Sequence, residues 1–574
     1  MFSFNLIDEG WIPCVMPNGK TCEKSIGEVL LQPRDVKEIF DASPLVTVAV
    51  HRLLLAVIHR SFERGYGPVS ETEWATLWGE GHGSWGTDRL SAYLDKWRSR
   101  FDIFHDEHPF FQCRQMPIST IGTKGREKSY AKSIANMVHE LAKGNNATLF
   151  DHTSESNPQA VTPAEAARLL VAFQAFAVGG LLTYEAGQDP KHFKSADNAP
   201  LVKGAVALME GQNLFQTLML NLHKYNLADE EPFAMEKDDA PCWERDEETL
   251  ATDRQPKGYL DLLTWQSRRI RLIPQKDDNG DTVVKQVVIM KGYQFPDGYS
   301  LSKREPMLAF RKIRNPGKGQ EPWLPMAFQE ERALWRDSLA LLQSIQEERA
   351  RPKMLSWLAD LSANGLLHQS ATYHVAMSGL TTDRANISMW RHERLPLTLK
   401  YLEGERLIAK LKEALDLAEG VGRLLGPGFV EVQGETKKPK VPSPMWTLAQ
   451  EVLPKDQKGK VDPNAVRALV DSLSPTRSYW ASLGISFNHL VTALPDDESP
   501  DGEYGASVLP WWADEVRKAA RRAFREAIDS LDHNGRWLRG ITVAEDSFGR
   551  LLNTAIKIFL APYQQETEER GGET

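Results

Sequence analysis

The sequence predicts an α+β protein with an irregular mixed α/β domain over residues 1–397. An all-α C-terminal four-helix bundle follows over 398–563, then a disordered tail over 564–574. Three observations carry this prediction. The 574 residues are 41% hydrophobic and 26% charged, which is the globular range and enough chain for several domains. Residues 258–313 alternate in polarity and are rich in β-branched side chains, as in TVVKQVVIM, which reads as strands. From residue 398 onward the apolar residues recur at helical spacing near 399–424, 463–491, 508–531 and 543–561.

In chain order, residues 2–16 read as a strand-like opening around Trp11-Ile12-Pro13. Ser43-Pro44 supplies a helix start, and LVTVAVHRLLLAVIHRSFE at 45–63 is apolar enough to lie inside the fold. A helix near 89 leads into FDIFHDEHPFFQ, where His105 and His108 sit in a turn. Residues 118–160 are polar and read as a long loop or loop–helix excursion. Thr162-Pro163 opens a helix ending near Gly179-Gly180, EAGQDPKHFKSADNAPLVKG follows as an exposed loop, and 205–223 reads as a helix. Residues 226–256 are acidic and loop-like, and Asn279-Gly280 marks a hairpin turn. GPGFVEVQGETKKPKVPSP at 426–445 reads as a loop between helices.

Charge and cysteine content narrow the function classes. The net charge of −9 excludes a stand-alone, strongly basic nucleic-acid binder but leaves a local basic patch open. Acid gathers at 226–252 and in the tail; cations gather at 124–132, 191–194 and 517–525. The four cysteines form no C-x-x-C pair, so neither a zinc knuckle nor a disulfide framework is indicated. No signal peptide or membrane span is expected, which fits a cytoplasmic protein. The sixteen tryptophans are read mainly as packing residues, with base stacking or a partner interface as the functional alternative.

Motifs for catalysis are missing. No Walker A, G-x-S-x-G, H-E-x-x-H or dinucleotide-binding glycine pattern is present. His51 and His59 lie eight apart and read as structural. The doublets His105-Asp106, Asp151-His152 and Asp532-His533 leave a metal-dependent nuclease as one alternative, requiring three or more ligands in one place. A helical scaffold without nucleic-acid contact is another. On the helix near 511–531, Arg517, Lys518, Arg521, Arg522 and Arg525 fall on one arc beside the apolar face, which suits tracking of phosphates. No cofactor is expected.

Four segments in order, NLIDEGWIP, FDIFHDEHPFFQ, HFKSADNAPLVKG and MSGLTTDRANISMWRHERLPL, resemble the CasA family, the large subunits of the type I-E CRISPR surveillance complex Cascade. The resemblance implies a non-catalytic, cytoplasmic DNA-binding subunit. It would recognise the protospacer-adjacent motif in double-stranded DNA, promote strand separation and R-loop formation, and recruit a helicase-nuclease in antiviral defence. Its implied partners are the other Cascade subunits, the CRISPR RNA 5′ handle, the target DNA and that helicase-nuclease. By the resemblance, counting back from Glu305-Pro306-Met307 places a lysine finger at Lys291, on a hairpin tip. A glycine-rich loop matches the stretch before Phe193-Lys194-Ser195, where Gly187 is the lone glycine and Lys191, His192 and Lys194 would approach DNA. A strand-parting wedge matches the loop Ser378–Asn386, with Asp383 and Arg384 at the wedge positions. Phe150, Asp151 and His152 match a loop that docks near the RNA handle and neighbouring subunits.

Overall fold

The computed structural model describes residues 2–571 apart from 80–84, 122–125, 140–159, 231–232, 235–236, 318–321, 331, 343–348, 384–385, 432–438, 500–501 and 532–533. The chain divides into two compact units. One comprises residues 1–330, 344–368 and 373–394; the other comprises 331–343, 369–372 and 395–574.

The first unit is mixed α/β. Its central helix, Pro44–Arg60, starts with proline in the first turn and is buried almost all round, as its uninterrupted apolar run dictates. The one guanidinium it takes inside, Arg52, forms a two-pronged ion pair with Glu305, both bonds 2.9 Å. His51 and His59 are both buried and bonded to backbone carbonyls, of Thr47 at 2.7 Å and Gly67 at 2.6 Å, which makes them structural. The Pro163–Phe176 helix packs on this one and opens on a capping box between Thr162 and Glu165.

Small sheets surround these helices. Arg268–Lys276 and Thr282–Lys291 form an antiparallel hairpin whose turn includes Asn279-Gly280, and Lys132–Ser133 adds a third strand. Two corrections concern this unit. Residues 205–223 are not one helix: Val206–Glu210 is a strand and only Leu214–Asn221 is helical. Val206–Glu210 pairs with residues 374–378, and the run VALME is buried on both faces, so it carries no alternation to betray it. The stretch from Ser378 is not a loop either. The strands Thr372–Asp383 and Asn386–Thr398 are neighbours in one sheet, with Asn386–Thr398 at its edge.

The second unit is helical. Glu405–Leu424, Pro444–Val452, Pro463–Leu473, Pro475–Ala493, Val508–Asp529 and Gly535–Gly571 are its main helices. The 463–491 stretch breaks at Ser474, which adopts the left-handed conformation at φ 49° directly before Pro475. The expected loop at 426–445 instead contains the paired strands Phe429–Glu431 and Lys440–Pro442, and the helix Pro444–Val452 opens at its end. The final helix is assigned through Gly571, into the segment expected to be disordered from 564. Phe524 and Phe548 stack at 4.2 Å between two of these helices, and Trp512 donates its indole N–H to the carbonyl of Ala414 on a third.

Candidate nucleic-acid interface

Lys291 is not at a hairpin tip. It ends the Thr282–Lys291 strand, in register with Arg268, at the opposite end from the Asn279-Gly280 turn. Its ammonium lies 4.0 Å from Asp253, and its side chain is only 17% exposed. The next residue must be glycine for a close approach: a Cβ on Gly292 would fall 2.5 Å from the carbonyl oxygen of Gln266. The backbone there stays against the partner strand, with the Gly292 N–H donating to the Ser267 carbonyl at 3.3 Å and the Tyr293 N–H to that of Gln266 at 3.0 Å.

The loop carrying Gly187 is anchored to that same end. Arg268, fully buried, donates to the carbonyls of Val178 at 3.1 Å and Asp197 at 2.8 Å, gripping both flanks of the loop. Arg269 reaches Glu185 at 3.0 Å, and Tyr130 accepts the Ala186 N–H at 2.8 Å. Gly187 sits at φ +89° with open space where a side chain would be, so backbone conformation and not crowding asks for glycine. Asp189 caps the short helix Pro190–Phe193 by accepting the Lys191 N–H at 3.0 Å. Lys191, His192 and Lys194 are exposed, and none has an ion-pair partner among the described residues. The structure therefore anchors the flanks of the loop that carries Gly187, Lys191, His192 and Lys194 to the hairpin end where Lys291 lies.

The wedge candidates stand on a different sheet. Asp383 is the last residue of the Thr372–Asp383 strand, and Arg384 lies outside the described residues. Below it, Thr381 pairs with Ser388 and Ser378 with His392, both at 2.9 Å, so the two strands are stapled by polar cross-strand pairs. Among the described residues this hairpin shares no hydrogen bond or ion pair with the Gly187 loop. Arg394 fixes its base by bonding Glu38 at 2.8 Å and Glu210 at 2.8 Å.

In the second unit, the helix Val508–Asp529 buries Val516, Ala520, Ala523, Phe524 and Ala527 as its wheel predicts. Its cations are not equivalent. Lys518 is paired with Asp514 at 2.9 Å and Glu515 at 3.0 Å, and Arg517 lies 3.5 Å from Asp514. Arg521, Arg522 and Arg525 are exposed and have no ion-pair partner among the described residues. The free charge is thus narrower than the five-residue arc.

Phe150, Asp151 and His152 lie outside the described residues, as does the Asp532-His533 doublet. His105 Nδ1 accepts backbone N–H bonds from Glu107 at 3.2 Å and His108 at 3.0 Å, so that nitrogen closes a turn. Among the described residues no three His, Cys, Asp or Glu side chains cluster to hold a metal ion. No helix among them is long and apolar enough to cross a membrane.

Sequence reasoning missed Arg268. A single arginine in a strand that alternates Arg with Ile and Leu gives no sign of which guanidinium turns inward, because that depends on the carbonyls waiting at 178 and 197.

A family model described as CRISPR-associated protein Cse1 matches residues 5–526. The chain belongs to the Cse1 family. CasA/Cse1 of Thermus thermophilus is 32% identical over 562 residues, covering 96% of this chain and 97% of that one. The crystal structure of Thermus thermophilus CasA is similar to this Cse1-family chain with a TM-score of 0.74 and 28% identity, over 96% of this chain and 100% of that one. A chain of a CRISPR RNA-guided surveillance complex shares the fold with a TM-score of 0.68 at 17% identity, over 95% of this chain and 99% of that one.

Proposed function

We propose that this Cse1-family chain is the large, non-catalytic subunit of a type I-E CRISPR RNA-guided surveillance complex. In this reading it recognises the protospacer-adjacent motif in double-stranded DNA, promotes strand separation and R-loop formation, and recruits a helicase-nuclease. Family membership over nearly the whole chain supports the assembly. The observation that carries the DNA-reading role is the anchoring of the Gly187 loop, through Arg268, to the hairpin end that carries Lys291. Lys291 offers a donor for base edges, and the exposed Lys191 and Lys194 of the anchored loop offer donors for phosphates. The minor groove's degenerate code suits a short, tolerant motif, while base pairing with the guide RNA would read the remaining sequence.

The hairpin of residues 372–398 takes the strand-parting role, with Asp383 and Arg384 as the wedge residues. Arginine is suited to this because its planar guanidinium stacks on a base and holds phosphate. The helices of the second unit form the family's four-helix bundle, with the free face of Arg521, Arg522 and Arg525 turned to phosphates. Phe150, Asp151 and His152 dock against the RNA handle and neighbouring subunits. The site of action is the cytoplasm.

The test is binding of a randomised-motif duplex library by the assembled complex. Enrichment of one short motif beside the guide-matched sequence is the expected outcome. Equal recovery of every motif, with and without Lys291→Ala, would end the reading.

A further inference from the structure

Cys14 and Cys22 stand eight residues apart, a spacing that marks no pair, yet the fold sets them opposite each other. The chain reverses at Asn18-Gly19, with Gly19 at φ +79°. Ile12–Val15 then pairs antiparallel with Thr21–Lys24, and Cys14 meets Cys22 in register. Directly opposite side chains of an antiparallel pair share one face of the sheet, so the two thiols are neighbours. The Cys14 thiol feels this: burial first, and then the nearness of Cys22, push its pKa up to about 12.

The third strand of this sheet settles which kind of pair they form. The carbonyls of Pro13 and Val15 accept N–H bonds from Phe40 at 3.0 Å and Lys37 at 2.9 Å, so the odd-numbered residues of Ile12–Val15 bond toward Glu38–Ile39. Met16 donates instead to the Lys20 carbonyl at 2.8 Å, which gives the even-numbered residues to the Thr21–Lys24 side. Cys14 and Cys22 are therefore a hydrogen-bonded pair, with α-carbons about 5.5 Å apart. A disulfide spans roughly 4.4–6.8 Å between α-carbons, so this pair can close with little movement of the strands. The β-carbons of opposite residues start wider than a relaxed disulfide wants, so the closed bond carries strain, and strained bonds are the readily reduced ones.

The two thiols differ in access. Cys14 is 1% exposed and donates to the Ile12 carbonyl at 3.4 Å, whereas Cys22 is half-buried. We propose that Cys14 and Cys22 are a reversible redox pair, closed to a cross-strand disulfide by exchange with a low-molecular-weight disulfide such as oxidised glutathione. The attacking form is the thiolate, so the reachable Cys22 starts the exchange. Its sulfur bonds to one sulfur of glutathione disulfide, that S–S bond breaks, and one glutathione thiolate leaves. The Cys14 sulfur then attacks the Cys22 sulfur, gives its proton to the departing group, and releases the second glutathione. Two protein thiols are oxidised, and one glutathione disulfide is reduced to two thiols. In a reducing compartment the pair rests open. None of this depends on the DNA-reading role proposed above.

The experiment treats the folded, fully reduced full-length chain with oxidised glutathione, then counts free thiols after denaturation and maps tryptic peptides. The count should fall from four to two. The peptide of residues 1–20, which carries Cys14, should be joined to that of residues 21–24, which carries Cys22. Excess reduced glutathione should restore all four thiols. Cys22→Ser should keep its three remaining thiols free under the same treatment. Cys14→Ala should stop at one glutathione bound to Cys22, the adduct that Cys14 otherwise resolves. Four free thiols in the treated wild type would overturn the proposal. So would a lasting glutathione adduct on wild-type Cys22, a bond that involves Cys113 or Cys242, or a bond between two chains. If Cys14→Ala does not fold, the wild-type peptide map and Cys22→Ser still decide the matter.

Discussion

Arg268 and Lys291 face each other across the open end of one antiparallel hairpin, yet the guanidinium is buried and the ammonium reaches the surface. The buried cation gives its donors to backbone carbonyls of Ser267, Val178 and Asp197. Burial without a carboxylate partner in bonding contact pushes its pKa down to about 10. Its neighbour in register keeps its charge available. One residue of the pair builds the loop platform, and the other is left to act from it.

Replacing Arg268 with Ala should therefore cost about 1–3 kcal/mol of folding stability, because it leaves the buried Ser267 carbonyl without its donor and unties the half-buried carbonyls of Val178 and Asp197. Denaturant unfolding of the purified chain measures this. A loss below about 0.5 kcal/mol, the range of an ordinary surface change, would show that the loop flanks hold themselves.

Lys291→Ala should lower affinity of the assembled complex for motif-bearing duplex by about tenfold, the scale of one base-edge contact. Subunit assembly should be unaffected. Asp253→Asn should shift affinity the other way by a smaller amount, since it releases an ammonium held at 4.0 Å by an exposed carboxylate. Equal loss of assembly and DNA binding in Lys291→Ala would return that lysine to a structural role.

Arg384→Ala should slow R-loop formation on intact duplex more than on pre-melted DNA. A wedge lowers the cost of opening the first pair, and that cost is already met in the melted substrate. The same slowing on both substrates would argue against a wedge.

Charge removal on the helix Val508–Asp529 separates paired from unpaired cations. The triple change Arg521→Gln, Arg522→Gln, Arg525→Gln should flatten the plot of log affinity against log salt by up to about 2–3 units, near one unit for each phosphate no longer neutralised. Arg517→Gln with Lys518→Gln should change it little, because those cations already face Asp514 and Glu515. Identical slopes for all variants would leave this face without a nucleic-acid role.

His51 predicts a pH effect. Burial holds its pKa down to about 4, below the ordinary value near 6.5, although the Thr47 carbonyl opposes the shift. A histidine depressed on folding takes up its proton more readily when unfolded. Its contribution is full above about pH 6.5 and is lost as pH falls toward 4. Between pH 7.5 and 5 the loss from His51 alone is about 2 kcal/mol. Unfolding free energies for wild type and His51→Gln across that interval check it: the variant should lose less on acidification.

Much of the fold was legible because local chemistry and tertiary context agree. The Asn279-Gly280 turn, the Thr162-Pro163 helix start and the apolar run of Pro44–Arg60 each satisfy both. Residues 206–210 misled because a strand buried on both faces carries no period of two, so its apolar run joined the helix that follows. Ser474 misled because a serine at φ 49° is set by the chain around it and not by its own preference. At the candidate site, residue types were legible but placement was not. Lys291 was expected at a hairpin tip, yet it lies at the other end, because the register is fixed by the turn at 279–280. The free face at 521–525 emerged only after its neighbours' ion pairs were known.

The helical unit is not one continuous stretch of chain: residues 331–343 and 369–372 belong to it alongside 395–574. Trp335, from the first of these, stacks on Phe487 at 4.7 Å, and Arg336 bonds Glu419 through two nitrogens at 2.9 and 3.0 Å while lying over the Trp480 ring. A polypeptide starting at residue 395 would thus leave Phe487 and Trp480 uncovered and Glu419 without its guanidinium partner. The helical part is therefore not a detachable cassette. Exchanging it between relatives means transplanting three separate segments instead of one. A graft that carries only the C-terminal stretch should aggregate unless the donor's Trp335 and Arg336 travel with it.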